Sequence, residues 1–218
     1  MPSSYTQWSE GANLLLPDMP GLEWPAAQLA LKRGARRFFE LSGAYREVCD
    51  PLVTLAGVPD YDILDIQDVA VIGLREVAVG TDDFESCGTL DRYITPARMN
   101  RLHATAASSS APEYAAWVNG HLWFYGTPSV SDLPIKATLI LVPTYKSEGL
   151  PNSVWEEHVD QIVKSARAIL HASSGKPYTD PNMARELNFE LEREAATARH
   201  RADTGGAPIS GHTRAHFV

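Results

Sequence analysis

The sequence predicts an α+β fold in which a small antiparallel helix bundle carries an inserted antiparallel β domain and ends in an extended C-terminal arm. Three observations predict it. Helical periodicity of apolar residues recurs in three long segments, and the first is separated from the other two by a stretch of short β-branched and aromatic runs. Within that stretch, Asn119-Gly120 joins two aromatic runs, the pair favoured where a two-residue hairpin needs positive φ angles. Beyond Asp203 the composition collapses to TGGAPISGHTRAHFV, which has too little apolar content to build a core of its own. The implied organisation is a discontinuous bundle at 1–47 and 150–203, an inserted β-rich domain at 48–149 and an arm at 204–218.

The chain opens with a short helical pattern, Trp8, Ala12, Leu15 and Leu16, which Pro17 and Pro20 interrupt. The stretch from Trp24 to Arg46 follows, with Ala27, Leu31, Ala35, Phe38, Leu41 and Tyr45 on one face, Pro25 in the first turn and Gly43 placed to stop the helix. Its other face carries Lys32, Arg33, Arg36 and Arg37. Charge on an outer face is ordinarily solvated; the sharper reading is a contact with an acidic neighbour. Val48 to Leu55 and Tyr61 to Ile63 read as strands joined by a turn at AGVPD. Val69 to Val79 alternates, with Gly73 marking a bulge.

Pro96 to Ala106 fits a brief helix and ASSSAP from Ala107 a surface loop. Tyr114 to Val118 and His121 to Tyr125 form the predicted hairpin, and Ile135 to Val142 a largely buried strand. Ser153 with Glu156 three residues on has capping-box spacing ahead of a helix whose stripe is Trp155, Val159, Ile162, Val163, Ala166, Ile169 and Leu170. After Ser174-Gly175, Asp180-Pro181 offers an N-cap and a first-turn proline for a helix bearing Ala184, Leu187, Leu191, Ala195 and Ala198. These last two helices are expected to run antiparallel, and burying three apolar stripes together gives the bundle.

At 218 residues, 44% of them hydrophobic, the chain can build one large domain or two small ones. No run approaches the roughly 18 consecutive apolar residues of a membrane helix, and MPSSYTQWSEG has no basic region followed by an apolar core, so a cytoplasmic product and no membrane partner are expected. In that reducing compartment Cys49 and Cys87 are expected to remain thiols. The net charge of -8 is unevenly spread: residues 48–149 carry thirteen acids against six bases. A region so acidic is a poor match to a nucleic-acid backbone, which is gripped through Lys and Arg.

The sequence has no phosphate-binding glycine loop, zinc-protease motif or nucleophile elbow, and no catalytic, cofactor or metal site is expected. His212 and His216 have no third ligand nearby. Glu156, Glu157, His158 and Asp160 read as the solvated start of a helix, and Asp60, Asp62, Asp65 and Asp68 as acidic surface without the glycine and glutamate of a calcium loop. Trp117, Trp123, Phe124 and Tyr125 fit cross-strand packing better than a stacking platform.

Residues 14–63, LLLPDMPGLEWPAAQLALKRGARRFFELSGAYREVCDPLVTLAGVPDYDI, contain in order a proline-broken element, a helix with Ala35-Arg36-Arg37-Phe38-Phe39 near its centre, Tyr45-Arg46-Glu47, and Asp50-Pro51 leading into LVTLAG. Residues 139–199 begin with a strand ending in Pro143, then give a helix start at Leu150-Pro151-Asn152 and a further start at Asp180 to Ala184. In this order and spacing the chain resembles the head-to-tail adaptor (neck) proteins of short-tailed bacteriophages and related prophages. The resemblance covers about two-thirds of the chain and leaves 80–112 unaligned; Tyr178-Thr179 departs from the family's aromatic before Asp-Pro.

The resemblance implies a non-enzymatic structural protein of the virion neck, made in the host cytoplasm. It would form a homo-oligomeric ring, commonly twelve-fold, between the portal protein and the tail tube or nozzle protein. Genome DNA would pass through without specific binding. It further suggests Arg33, Arg36 and Arg37 as a subunit or portal interface, and Arg214, His216, Phe217 and Val218 as the tip of a portal-binding arm. Another head-completion or tail-terminator protein, or a small soluble enzyme without a recognisable motif, are the alternative readings.

Overall fold

The computed structural model describes residues 5–49, 52–63, 68–80, 88–89, 114–118 and 120–204. Over these the fold is α+β, with four helices and antiparallel sheets. The chain begins with β1 (Tyr5–Gln7) and α1 (Trp8–Ala12), then Pro17 sits within a short 3-10 turn, Leu16–Asp18. Helix α2 (Trp24–Ser42) follows and ends at Gly43, whose φ of 57° is the left-handed conformation that glycine adopts without penalty. The strands are β2 (Arg46–Val48), β3 (Leu52–Val53), β4 (Asp60–Asp62), β5 (Val69–Val79), β6 (Gly88–Thr89), β7 (Tyr114–Val118), β8 (His121–Tyr125), β9 (Pro134–Pro143) and β10 (Gly149–Pro151). Helices α3 (Asn152–His171) and α4 (Pro181–Thr204) complete the described chain.

Strand β9 organises the larger sheet, because its core-facing residues Ile135, Ala137, Leu139 and Leu141 are all buried and it is long enough to serve several partners. The order is β2-β9-β5-β6, with β3 also pairing with β9, and a second sheet has the order β4-β8-β7. The β7–β8 hairpin forms as expected, with Val118 opposite His121 and Gly120 at φ 92°. Register shifts in β5 fall between Val71 and Gly73 and again between Leu74 and Glu76, so a bulge lies where Gly73 suggested one. Aromatic side chains of the hairpin pack: Phe124 is buried edge-on to Tyr61 at 5.6 Å, while Trp123 and Tyr125 pack against Ala116 on the opposite face.

Two local expectations are corrected. The strands flanking AGVPD do not form a hairpin with each other: β2 and β3 pair with β9, and β4 pairs with β8. The Tyr61 hydroxyl closes the intervening loop itself, accepting from Leu55 N at 3.0 Å and donating to Val58 O at 3.0 Å, and this directs the chain from one sheet to the other. The capping box at Ser153 is also absent. Helix α3 starts at Asn152 straight out of β10 with no side-chain cap, its position set by β1–β10 pairing and by the Thr6 hydroxyl donating to Asn152 Oδ1 at 2.9 Å. The Asp180 cap does form, with Oδ1 accepting from Asn182 N at 3.0 Å and Met183 N at 3.1 Å. The expected helix at Pro96 to Ala106 and loop at Ala107, and the arm from residue 205 onward, lie outside the described residues.

Helix α2 is central. It packs against α1, α3, α4 and β9, and the buried residues of helices and sheets form a continuous cluster that includes Trp8, Leu31, Phe38, Phe39, Leu139, Leu141, Ile162 and Leu191. Its contact with α3 is a backbone contact. A Cβ added at Gly34 would lie 2.7 Å from Ala166 N and 2.9 Å from Ile162 O, so the two helices meet with no side chain between them. Gly34→Ala should therefore destabilise the fold by up to about 2 kcal/mol, because overpacking costs about 1–3 kcal/mol and alanine returns roughly 1 kcal/mol in helix propensity. The check is urea denaturation, with a lowered midpoint and an unchanged slope expected; a stabilised variant would contradict this helix crossing.

Candidate functional site

The basic face of α2 is partly used within the molecule. Arg37 Nη1 donates to Asn188 Oδ1 of α4 at 2.8 Å, and the Arg36 guanidinium pairs with Glu40 at 2.8 Å while lying 5.1 Å from the centre of the Tyr145 ring. Lys32 Nζ reaches Tyr145 O at 3.4 Å. Arg33 is exposed, on the same side of the helix as exposed Leu29. Of the three arginines suggested as an interface, then, Arg33 is the one turned fully to solvent, Arg36 is stacked and Arg37 ties two helices together. Arg214, His216, Phe217 and Val218 lie outside the described residues.

A polar joint that no sequence motif announces lies where the C-terminal ends of α2 and α4 meet β5. Arg46 donates through Nε to Gly43 O at 2.8 Å, through Nη1 to Ala202 O at 2.7 Å and through Nη2 to Asp203 Oδ1 at 2.6 Å. Arg199 reaches the carbonyls of Leu41 and Ser42, and Arg75 Nε approaches Asp203 Oδ1 at 3.1 Å. Carbonyls in the last turn of a helix lack intrahelical donors and carry the negative end of the dipole, so guanidinium groups satisfy both needs at once. The hydrogen bond from Arg46, aided by Arg75, holds the Asp203 carboxyl below its ordinary range.

Beside this joint, a groove of about 690 Å3 runs between α3 and α4 and is closed at one end by Ala44 and Arg46. Its α3 wall is His158 and Gln161, three residues apart and so on one face, with exposed Glu157 at the rim; Ala198 and Arg201 form part of the α4 wall. His158 is 8% exposed and lies against Phe38 and Phe39, ring centres 5.3 and 5.6 Å away. The reading of Glu156, Glu157, His158 and Asp160 as one solvated stretch therefore needs correcting for His158, because helix geometry turns it inward while Glu156, Glu157 and Asp160 remain exposed. Burial lowers the His158 pKa from its ordinary 6.5, and neighbouring Glu157 only partly offsets this. Gln161 Oε1 is buried and accepts no hydrogen bond among the described residues.

Other predicted clusters stay apart. Asp62 is exposed and lies 2.7 Å from His121 Nδ1, Asp68 sits at φ 65° with its carbonyl accepting from Thr144, and Asp65 is outside the described residues. Cys49 is buried; Cys87, His212 and His216 are outside the described residues. Among the described residues no group of three or more His, Cys, Asp or Glu is placed to hold a metal ion, and no helix is long and apolar enough to cross a membrane. Comparison with protein-family models and with curated proteins finds no match. Among the described residues the helical layer leaves open the exposed side of α2 with the Tyr145 turn and the α3–α4 groove.

Two pH dependences follow. The lowered pKa of Asp203 means its stabilisation is present above the unfolded value near 3.9 and is lost as pH falls through the folded value. Asp203→Asn should lower stability by up to about 1 kcal/mol at pH 7, the upper end for a partly exposed pair, and the gap from wild type should close at acid pH. For His158 the folded pKa is also below the unfolded one, but here the unfolded chain takes up the proton first. Stability is full above about 6.5 and declines below it, and His158→Phe should flatten that decline in denaturation measured from pH 7.5 to 5.

Proposed function

We propose that this chain is a structural protein of a bacteriophage neck, a head-to-tail adaptor that assembles into a ring, joins the portal to the tail and continues the DNA channel. The observation that carries the reading is the joining of the two separated stretches of resemblance: residues 14–63 supply α2 and 139–199 supply α3 and most of α4, and these three helices pack directly on one another. A ring of identical subunits needs two different complementary faces on each copy. Arg33 and its neighbours on the outer side of α2 supply a cationic one, and the exposed start of α3 supplies acids. In the β region, exposed Asp62, Glu76 and Asp132 suit a surface past which DNA moves without adhering, since like charge opposes counterion-releasing contacts.

The test is particle mass and symmetry by light scattering and electron microscopy, for the protein alone and with a purified portal ring. A closed ring, or a ring seated on the portal, is expected. A persistent monomer under both conditions would overturn the reading. Arg33→Glu should leave the thermal midpoint within about 2 °C and weaken assembly, more so at low salt, where surface charges are least screened. Normal assembly of that variant at low salt would remove the α2 face from the interface.

A further inference from the structure

We propose that the α3–α4 groove is the receiving half of the subunit contact and that the tyrosine at the apex of the β9–β10 turn of a second copy is what enters it. The proposal rests on the ring reading above and specifies the contact by which one copy meets the next.

Tyr145 is unusual for where it sits. It is 59% exposed, yet its turn is rigid: Ser147 is buried, its N and Oγ both bond Thr144 O, at 3.2 and 2.8 Å, and its carbonyl accepts from Trp8 Nε1 at 3.0 Å. The Arg36 guanidinium lies against one side of the ring. An aromatic side chain held out on a fixed turn loses little further freedom on binding, which is the profile of an interface anchor.

The groove offers what such an anchor needs. Among the described residues Gln161 Oε1 is a buried acceptor with no donor, and the His158 ring, 8% exposed, lines the same groove with its Nε2 3.9 Å from Glu157 Oε1. A tyrosine hydroxyl is both donor and acceptor, so it can donate to Gln161 Oε1 once that amide turns toward the groove. The flanking charges are complementary as well. Lys146 and Glu148 flank the turn, both exposed and without ion pairs among the described residues; the groove rim presents Glu157 and Arg201.

The two halves cannot meet within one copy, because they lie on opposite sides of α2. Gly34 touches α3 whereas Arg36 lies at Tyr145, and two residues on a helix are separated by roughly 200°. Unlike patches on opposite sides of a subunit join head to tail, which is the contact that closes a ring.

The experiment uses full-length chains carrying Tyr145→Cys or Gln161→Cys, alone and mixed, treated with a flexible bis-maleimide, since a tyrosine's length separates the two Cβ atoms beyond disulfide reach. Wild type and each single variant control for Cys49 and Cys87. Cross-linked pairs are expected in the mixture alone. Tyr145→Ala should raise the concentration needed for half-assembly about tenfold or more, and Tyr145→Phe, which keeps the ring and loses the hydroxyl, by a smaller factor. Rings that form without the mixed cross-link and tolerate both substitutions would overturn this contact and leave the ring standing. A wild-type chain that never exceeds a monomer would overturn both.

Discussion

The backbone contact between α2 and α3 at Gly34 is the constraint on which the rest of the molecule depends. Because Ala166 and Ile162 present main-chain atoms to the position where a Cβ would be, the crossing admits no larger residue without separating the helices. That closeness places Phe38 and Phe39 against His158 one turn further along, and fixes α2 where Ile140 of β9 packs beneath Gly43. The same economy of space recurs at Gly149, where an added Cβ would lie 2.2 Å from Thr6 O, so β10 can pair with β1 and feed directly into α3.

Electrostatics does different work at two places in the helical layer. At the C-terminal ends of α2 and α4, Arg46 and Arg199 donate to carbonyls of the helix ends, and Asp203 with Arg75 extends the joint to β5. Each such pair is worth little where water screens it, but a carbonyl left without a donor is expensive, so the joint acts mainly by preventing that loss. Midway along α4, Lys164 of α3 bridges Glu190 at 2.9 Å and Glu194, and Arg167 binds Asp18. Arg33, Lys146, Glu148, Glu156, Glu157 and Arg201 are among the exposed charges that have no close opposite charge on another element among the described residues.

Much of the fold was legible because periodicity reports burial directly. Ala27, Leu31, Ala35 and Phe38 are buried as their spacing requires, and so are Trp155, Ile162, Ala166 and Leu170 in α3 and Leu191 and Ala195 in α4. The Asn119-Gly120 hairpin was legible for a backbone reason, as was the stop at Gly43. What failed depended on distant partners. The strands either side of AGVPD looked like a hairpin because local turn chemistry says nothing about competition from β9 and β8 for the same backbone groups. Ser153 looked like a cap because sequence does not reveal that the chain arrives at α3 already paired as a strand. The candidate site was the least legible part. His158 hid among acids in a polar run, and Arg46, Arg75, Arg199 and Asp203 are spread over more than half the chain, with no spacing to connect them.

Among the described residues, a bundle that buries α2 on several sides leaves two faces of its helical layer open, and they are unlike in charge. One is cationic, with a fixed aromatic at its edge; the other is a groove walled by α3 and α4, with Glu157 at its rim. A two-fold dimer requires each face to complement itself, and a cationic face does not. Unlike faces on opposite sides of one rigid layer join head to tail, so that the relative rotation of the two faces fixes how many copies close the circle. The crossing at Gly34 contributes to that rotation, because the α3 wall of the groove and the Arg36–Tyr145 edge are positioned relative to one another through α2. Helix packing angles tolerate limited change before side chains or backbones clash, so in the proposed ring a backbone contact of this kind would favour one ring size over a range of them.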